Sequence, residues 1–376
     1  MTSHIGYRQA FLDWLACAVA GRDQPAVRAA NAAGDRLLAL AAAGHVLDFD
    51  DTYGPGLAHL SAPTAPAALV VGADEGRTIG AVVDAYAAGF EAMAALARAS
   101  HPVLYERGWH PTAVTGTVGA ATAAARLLGL DADATTVARR LAVLGSGGLQ
   151  GAFGTDGKSL QVAMAATQGV RAARLAAAGA TATARIERAF ETVYGGCWAN
   201  ADSTLAIEDN WIKAFPCCLQ THSSIEAADR VRNEGTDLEG KGVVTVHPRS
   251  RQAAPLDDVT SGLEGKFSIP YTVAYTLLHG PPGLADFNDV NEPARRLAER
   301  IEVRTDDKLE ESEAVLDWPS GGQATVRVEA ALGSPRHPMT QEQLSAKVHA
   351  LAGSRLDGAL DDPDRPAADV LALVAR

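Results

Sequence analysis

The sequence predicts a mainly α-helical protein carrying an inserted α+β domain: a large all-helical domain plus a smaller α+β lid. Three observations point there. Alanine, the strongest helix former, is dense through the first half, while aromatic residues make up only 5% of the chain. Apolar side chains in that half recur at helical spacing over long stretches. After about residue 213 the pattern changes to β-branched alternation broken by acidic turns and prolines, then returns to helix near the C-terminus. The expected division is a helical domain over residues 1–212 and 336–376, with the lid over 213–335. The cleft between the parts is the expected site.

Taken in order, "YRQAFLDWLACAVA" from Tyr7 and "AVRAANAAGDRLLALAAAGHVLDF" from Ala26 read as helices. "TIGAVVDAYAAGFEAMAALARA", starting at Thr78, reads as a buried helix. "HPTAVTGTVGAATAAARLLGL" starts a further helix after His110, with Pro111 suited to its first turn. "DADATTVARRLAVLGSGG" reads as a helix ending in glycines, and "SLQVAMAATQGVRAARLAAAGA" as another. In the later region "KGVVTVHP", "KFSIPYTVAYTLL", "RIEVRTD" and "QATVRVEAAL" show strand-like alternation. "MTQEQLSAKVHALAG" restores the helix, with Thr340 and Glu342 at its start.

Composition narrows the functional class. With 376 residues, 47% hydrophobic and 21% charged, the chain is globular and large enough for two domains. No run of about 18 strongly apolar residues stands out, so no membrane span is expected. The N-terminus lacks a basic stretch followed by an apolar one, so no secretory signal is expected. Four cysteines, Cys17, Cys197, Cys217 and Cys218, do not make a disulfide framework in a chain this long, and a reducing cytoplasm is the expected compartment. The net charge of −12 argues against nucleic-acid and anionic-membrane partners. An anionic substrate would need lysines, arginines and histidines gathered locally.

Several stretches carry chemistry-bearing residues. "GAFGTDGKS", Gly151 to Ser159, approaches a phosphate-binding loop, but its first glycine is one residue out of register and a helix, not a strand, precedes it. Lys158 then reads as a solvated lysine in a turn, or as the partner of another anion. The densest polar cluster is "HVLDFDDTYGPGLAH", His45 to His59. Asp48, Asp50 and Thr52 fit the D-x-D-x-T pattern of haloacid-dehalogenase-type phosphotransferases, with Asp48 as nucleophile and Mg²⁺ beside it. The same aspartates also fit a carboxylate metal site, or helix caps and turns. A third reading puts Asp48 and His59 in general acid/base work on a loop.

In "YERGWHPT", His110 precedes a helix whose dipole disfavours its cationic form, which suits a neutral base; it also suits a residue filling a turn. "WIKAFPCCLQTH" holds Lys213, Cys217, Cys218 and His222, with too few ligands for zinc and nothing ordering Cys218 against His222 as a nucleophile and its base. Small buried packing is the other reading for the cysteines. In "KFSIPYTVAY", Tyr271 reads as a core residue at a strand-to-helix junction.

Together and in this order, "HVLDFDDT", "AHLSAP", "YERGWHPTAVTGTVGAA", "FGTDGKS", "KAFPCCLQTH" and "GKFSIPYTVA" resemble the MmgE/PrpD family. That family includes 2-methylcitrate dehydratase, cis-aconitate decarboxylase and iminodisuccinate epimerase. The resemblance implies a helical domain with an inserted lid, usually a homodimer, and no metal or organic cofactor. It places Asp48, His59, His110, Lys158 and Tyr271 as catalytic candidates. Thr52, Lys158, Gln161, Lys213 and Cys218 are the substrate-binding candidates. Lys158 would then meet a carboxylate rather than a phosphate.

The implied reaction is proton abstraction alpha to a carboxylate of a small di- or tricarboxylate, such as a 2-methylcitrate-like hydroxy acid, with loss of a β-hydroxyl. Epimerisation, decarboxylation or simple carboxylate binding on the same scaffold are the alternatives. Two departures stand out. The segment before His45 is shorter than usual, and Gln161 stands where the family often has a histidine, which removes proton transfer at that position.

Overall fold

The computed structural model describes residues 2–235, 237–320 and 322–375. It divides into two compact units, Met1–Ile212 with Thr340–Arg376, and Lys213–Met339. The first is mostly helical; the second combines helices with a small mixed sheet.

The first unit runs through α1 (Thr2–Gly21), α2 (Pro25–Ala32), α3 (Arg36–His45), α4 (Ser61–Asp74), α5 (Ile79–Ser100) and the short α6 (Val103–Glu106). It continues through α7 (Pro111–Leu127), α8 (Ala132–Val143), α9 (Gly157–Ala177) and α10 (Arg185–Tyr194). A two-stranded ladder joins β1 (Thr52–Tyr53) to β2 (Asn210–Trp211), antiparallel. Three of the starts, those of α3, α5 and α8, follow side-chain capping of otherwise unsatisfied amides. Asp35 accepts from Leu38 N at 2.9 Å, Thr78 from Ala81 N at 3.3 Å and Asp131 from Ala134 N at 2.8 Å.

The packing explains the alanine content. α7 is buried along almost its whole length and lies against α4, α5, α8 and α9. A Cβ on Gly89 of α5 would sit 2.6 Å from Gly119 O of α7, and one on Gly169 of α9 would sit 2.5 Å from Thr117 O. At those crossings backbone meets backbone, so only glycine fits. α5 is 22 residues long and is, by length and composition, apolar enough to cross a membrane, contrary to the expectation that no segment would be. Its most apolar stretch is 67% buried within the structure, which is how a core helix satisfies the same composition.

The second unit holds α11 (His222–Asn233), β3 (Gly242–Val246), α12 (Pro248–Ala253), α13 (Gly262–Gly265), α14 (Ile269–His279) and α15 (Glu292–Ala298). The sheet is completed by β4 (Ile301–Thr305), β5 (Ala314–Ser320) and β6 (Gly322–Val328). The strand order is β4-β3-β5-β6, with β3 and β4 parallel and the other pairs antiparallel. β3 alternates buried and half-buried residues, with Val244 and Val246 in the core. "KFSIPYTVAYTLL" corrects its strand-like reading: most of it is α14, capped by Ser268, whose Oγ accepts from Tyr271 N at 3.2 Å. Nearly every residue of α14 is buried between α11 and α15, so its apolar run carries no helical period to read. The chain then returns to the first unit through α16 (Gln341–Ala352) and α17 (Ala367–Ala375). α16 begins in a capping box of Thr340 and Gln343.

Candidate active site

The polar cluster from His45 to His59 is the connection between α3 and α4. α3 stops at His45, and Asp48 N donates to His45 O at 3.0 Å. Asp48 sits at φ +55°, in the left-handed region that aspartate tolerates better than most residues. Just after it, Phe49 O accepts from Lys347 Nζ of α16 at 2.8 Å. Lys347 is itself paired with Asp13 of α1 at 2.7 Å, both buried, and its ammonium lies 4.0 Å from the centre of the Phe49 ring. The site loop is therefore pinned from two other helices.

Within the loop each aspartate has a different task. The Asp48 carboxylate is ion-paired with Lys158, and both residues are buried. Asp50 accepts from His45 Nδ1 at 2.9 and 3.0 Å, with both side chains fully buried. Asp51 accepts from Ser61 Oγ at 2.8 Å, Ser61 N at 3.3 Å and Asn210 Nδ2 at 2.8 Å. Burial, and then the neighbouring Asp50, push the Asp51 carboxyl up to about 7 against the pull of the Ser61 and Asn210 hydrogen bonds. Ser61 Oγ also lies 2.6 Å from the buried Tyr86 hydroxyl.

His59 is anchored through its backbone N, which donates to Thr112 Oγ1 of α7 at 3.0 Å. Its Nδ1 lies 2.8 Å from Asp51 O and 3.2 Å from Thr52 Oγ1, while Nε2 is 4.0 Å from Asp48 Oδ1. His110 takes an extended backbone conformation immediately before Pro111 and is buried. Its Nδ1 lies 2.7 Å from Gln161 Nε2. Burial, then Lys158 and His45, hold the His110 imidazole well below its ordinary range, while Asp48 acts the other way. Burial and the cationic neighbours thus favour the neutral ring. Lys158 stands in the first turn of α9 and also lies 5.8 Å from the centre of the Phe153 ring. It is a buried ion-pair partner, which corrects its reading as a solvated turn lysine.

The structure thus gathers Asp48, Thr52, His59, His110, Lys158 and Gln161 within the first unit. Lys213, Cys218 and Tyr271 belong to the second unit. Lys213 is buried there. The Cys218 thiol lies 3.5 Å from Gln220 Oε1 and 3.7 Å from Ala253 O, and the cysteine is part of that unit's apolar core. Tyr271 is buried in the same core, and its hydroxyl accepts from Asn291 N at 2.9 Å.

His45, Asp50 and His59 are the one set among the described residues whose donor atoms come close enough to hold a metal ion, within 4.8 Å of one another. His45, which belongs to the polar cluster but has no assigned role in the sequence, pairs with Asp50; the signal for it is a five-residue separation across a helix end. Asn210 and Lys347 carry no signal in the sequence, because their partners are distant along the chain.

A buried lysine, three histidines and three aspartates thus stand on one helical frame, groups whose chemistry can move protons and hold an anion. Residues 36–203 match the MmgE/PrpD N-terminal domain and residues 215–372 the MmgE/PrpD C-terminal domain. The chain belongs to the MmgE/PrpD family. It is 28% identical over 276 residues to human cis-aconitate decarboxylase, covering 66% of this chain and 57% of the human protein. It is 27% identical to the mouse cis-aconitate decarboxylase over the same length, covering 56% of that protein. A cis-aconitate decarboxylase-like protein of Aspergillus oryzae is 30% identical over 154 residues, covering 36% of this chain and 31% of the relative. The matches thus take in little more than half the length of the mammalian relatives.

Proposed function

We propose that this protein is a metal-independent lyase acting on a small di- or tricarboxylate, of the dehydratase type. The observation that carries the reading is Lys158, a buried ammonium held against Asp48 and electrostatically coupled to His110. A lysine kept there binds a carboxylate as a point charge. In the reaction, a side chain takes the proton alpha to a substrate carboxylate. The C–H electron pair moves into the carbon framework as enolate-like charge, then expels the β-hydroxyl, which leaves with a proton as water. Lys158 stabilises the charge that grows along this path more than the resting carboxylate. Lys213 joins as a substrate-binding candidate on the strength of the family resemblance alone.

Decarboxylation is the second reading, and the relatives named cis-aconitate decarboxylase favour it. There the C–CO₂ electron pair takes the place of the C–H pair. We further propose that the protein works as a cytoplasmic homodimer.

The test is proton NMR in D₂O with citrate, 2-methylcitrate, cis-aconitate and aspartate-derived dicarboxylates, with Lys158→Ala as control. A new olefin signals dehydration, a lost carboxylate decarboxylation, and deuterium at the α-carbon without either signals epimerisation. Ligand-induced thermal stabilisation without any product would instead make the protein a carboxylate binder.

A further inference from the structure

We infer that the two site histidines are held as opposite tautomers, with Gln161 fixing His110 as a hydrogen-bond donor at Nε2 and the Asp51 carbonyl fixing His59 as a base at Nε2. The division of labour rests on the reaction proposed above; the tautomers themselves do not.

The argument starts at Gln161. Its Oε1 accepts from the backbone N–H of Leu149 at 2.8 Å, and its Nε2 donates back to Leu149 O at 3.3 Å. A backbone amide and carbonyl cannot exchange roles, so this pair settles which end of the side-chain amide is which. The same Nε2, which has only hydrogens to offer, lies 2.7 Å from His110 Nδ1. That nitrogen must therefore accept, and in a neutral imidazole the remaining proton then sits on Nε2. A proton on Nδ1 would set two donors against each other, so Gln161 also opposes the imidazolium. Lys158 and His45 oppose it as well, and Asp48 is the nearby group that favours it.

His59 shows the reverse. Its Nδ1 lies 2.8 Å from Asp51 O, a group that can only accept, with Thr52 Oγ1 at 3.2 Å and Asp50 Oδ2 at 3.8 Å. The proton sits on Nδ1, so in the neutral ring Nε2, on the Asp48 side, carries the lone pair.

The consequences for chemistry differ. A neutral imidazole with Nε2–H would have to become an imidazolate to give up its proton. His110 therefore serves as an uncharged hydrogen-bond donor to developing negative charge, not as a proton carrier. His59 takes the proton: the substrate C–H electron pair stays on carbon as enolate charge, and His59 becomes an imidazolium whose Nδ1–H already faces Asp51 O. Gln161, where family members often place a titrating histidine, becomes a positioning residue that acts through His110.

The test is ¹⁵N NMR of the full chain with labelled histidine, with His59→Asn and His110→Asn used for assignment. The expected result at pH 7 is a pyrrole-type Nε2 and pyridine-type Nδ1 for His110, and the opposite for His59. In Gln161→Glu, whose carboxylate can only accept, the His110 tautomer should reverse while that of His59 stays. Turnover of cis-aconitate or 2-methylcitrate should then lose about 100-fold in kcat with KM little changed, the scale of one removed oxyanion donor. A wild-type His110 protonated on Nδ1, or a tautomer unmoved by Gln161→Glu, overturns the inference. A reversed tautomer with unchanged kcat overturns the donor role. If the wild type converts neither acid, the proposed reaction fails, yet the nitrogen shifts still decide the tautomers.

Discussion

Lys347 of α16 reaches the backbone carbonyl of Phe49 at 2.8 Å, so a helix near the C-terminus holds the residue between Asp48 and Asp50. Asp13 balances its charge from α1. The site loop thus depends on a side chain far along the chain, whose charge is balanced by one much nearer to the N-terminus.

Lys347→Met should destabilise the protein by about 3–5 kcal/mol, because it leaves Asp13 buried without its counter-charge. The double variant Asp13→Asn/Lys347→Met should recover much of that loss. Urea denaturation of both variants checks this, and equal loss in the two would show that the ion pair is not the source.

Lys158→Ala should lower kcat by about 100-fold or more through loss of charge stabilisation in the transition state. It should also weaken binding of unreactive tricarboxylates. Steady-state kinetics with the substrate found in the NMR screen, and calorimetry with tricarballylate, measure the two effects separately. Wild-type kinetics in this variant would remove Lys158 from the reaction.

Asp51 should titrate near pH 7, read from its carboxyl ¹³C shift. Its folded pKa lies above the unfolded value of about 3.9, so the folded state binds the extra proton. The sign follows: this group's contribution is fullest below about pH 4 and is lost as pH rises towards 7, on the order of 4 kcal/mol in all. A midpoint near 4 would mean that the Ser61 and Asn210 hydrogen bonds cancel the effect of burial and of Asp50.

Turnover should survive exhaustive dialysis against EDTA. The proposed proton transfer needs His59 and Lys158 and no metal ion. Activity that disappears with EDTA and returns with one divalent ion would assign His45, Asp50 and His59 to a metal.

Much of the first unit was legible because its signals are local. Thr78 and Asp131 mark helix starts, Pro111 marks another, and alanine periodicity fills the helices between them. Asp48, His59 and His110 stood out because polar residues are concentrated around glycine and proline there. α14 was misread because burial on all sides erases the period that separates helix from strand. Gln161 looked like a lost histidine, since the sequence does not show that Leu149 N and O orient its amide. Lys347 was unreadable for the same kind of reason: its partners Asp13 and Phe49 lie some 300 positions away.

His110 precedes α7 and Lys158 opens α9, and these two helices meet where Gly169 lies against Thr117 O and the small Ala120. Their separation is therefore fixed by main-chain bulk, a length that substitution can increase but not reduce. Added bulk at that seam can therefore only push the two helices apart; no smaller side chain is left that would draw them closer. The helix that opens with Lys158 and the helix that follows His110 thus share a closest approach whose lower limit is set by the main chain and not by any choice of side chain.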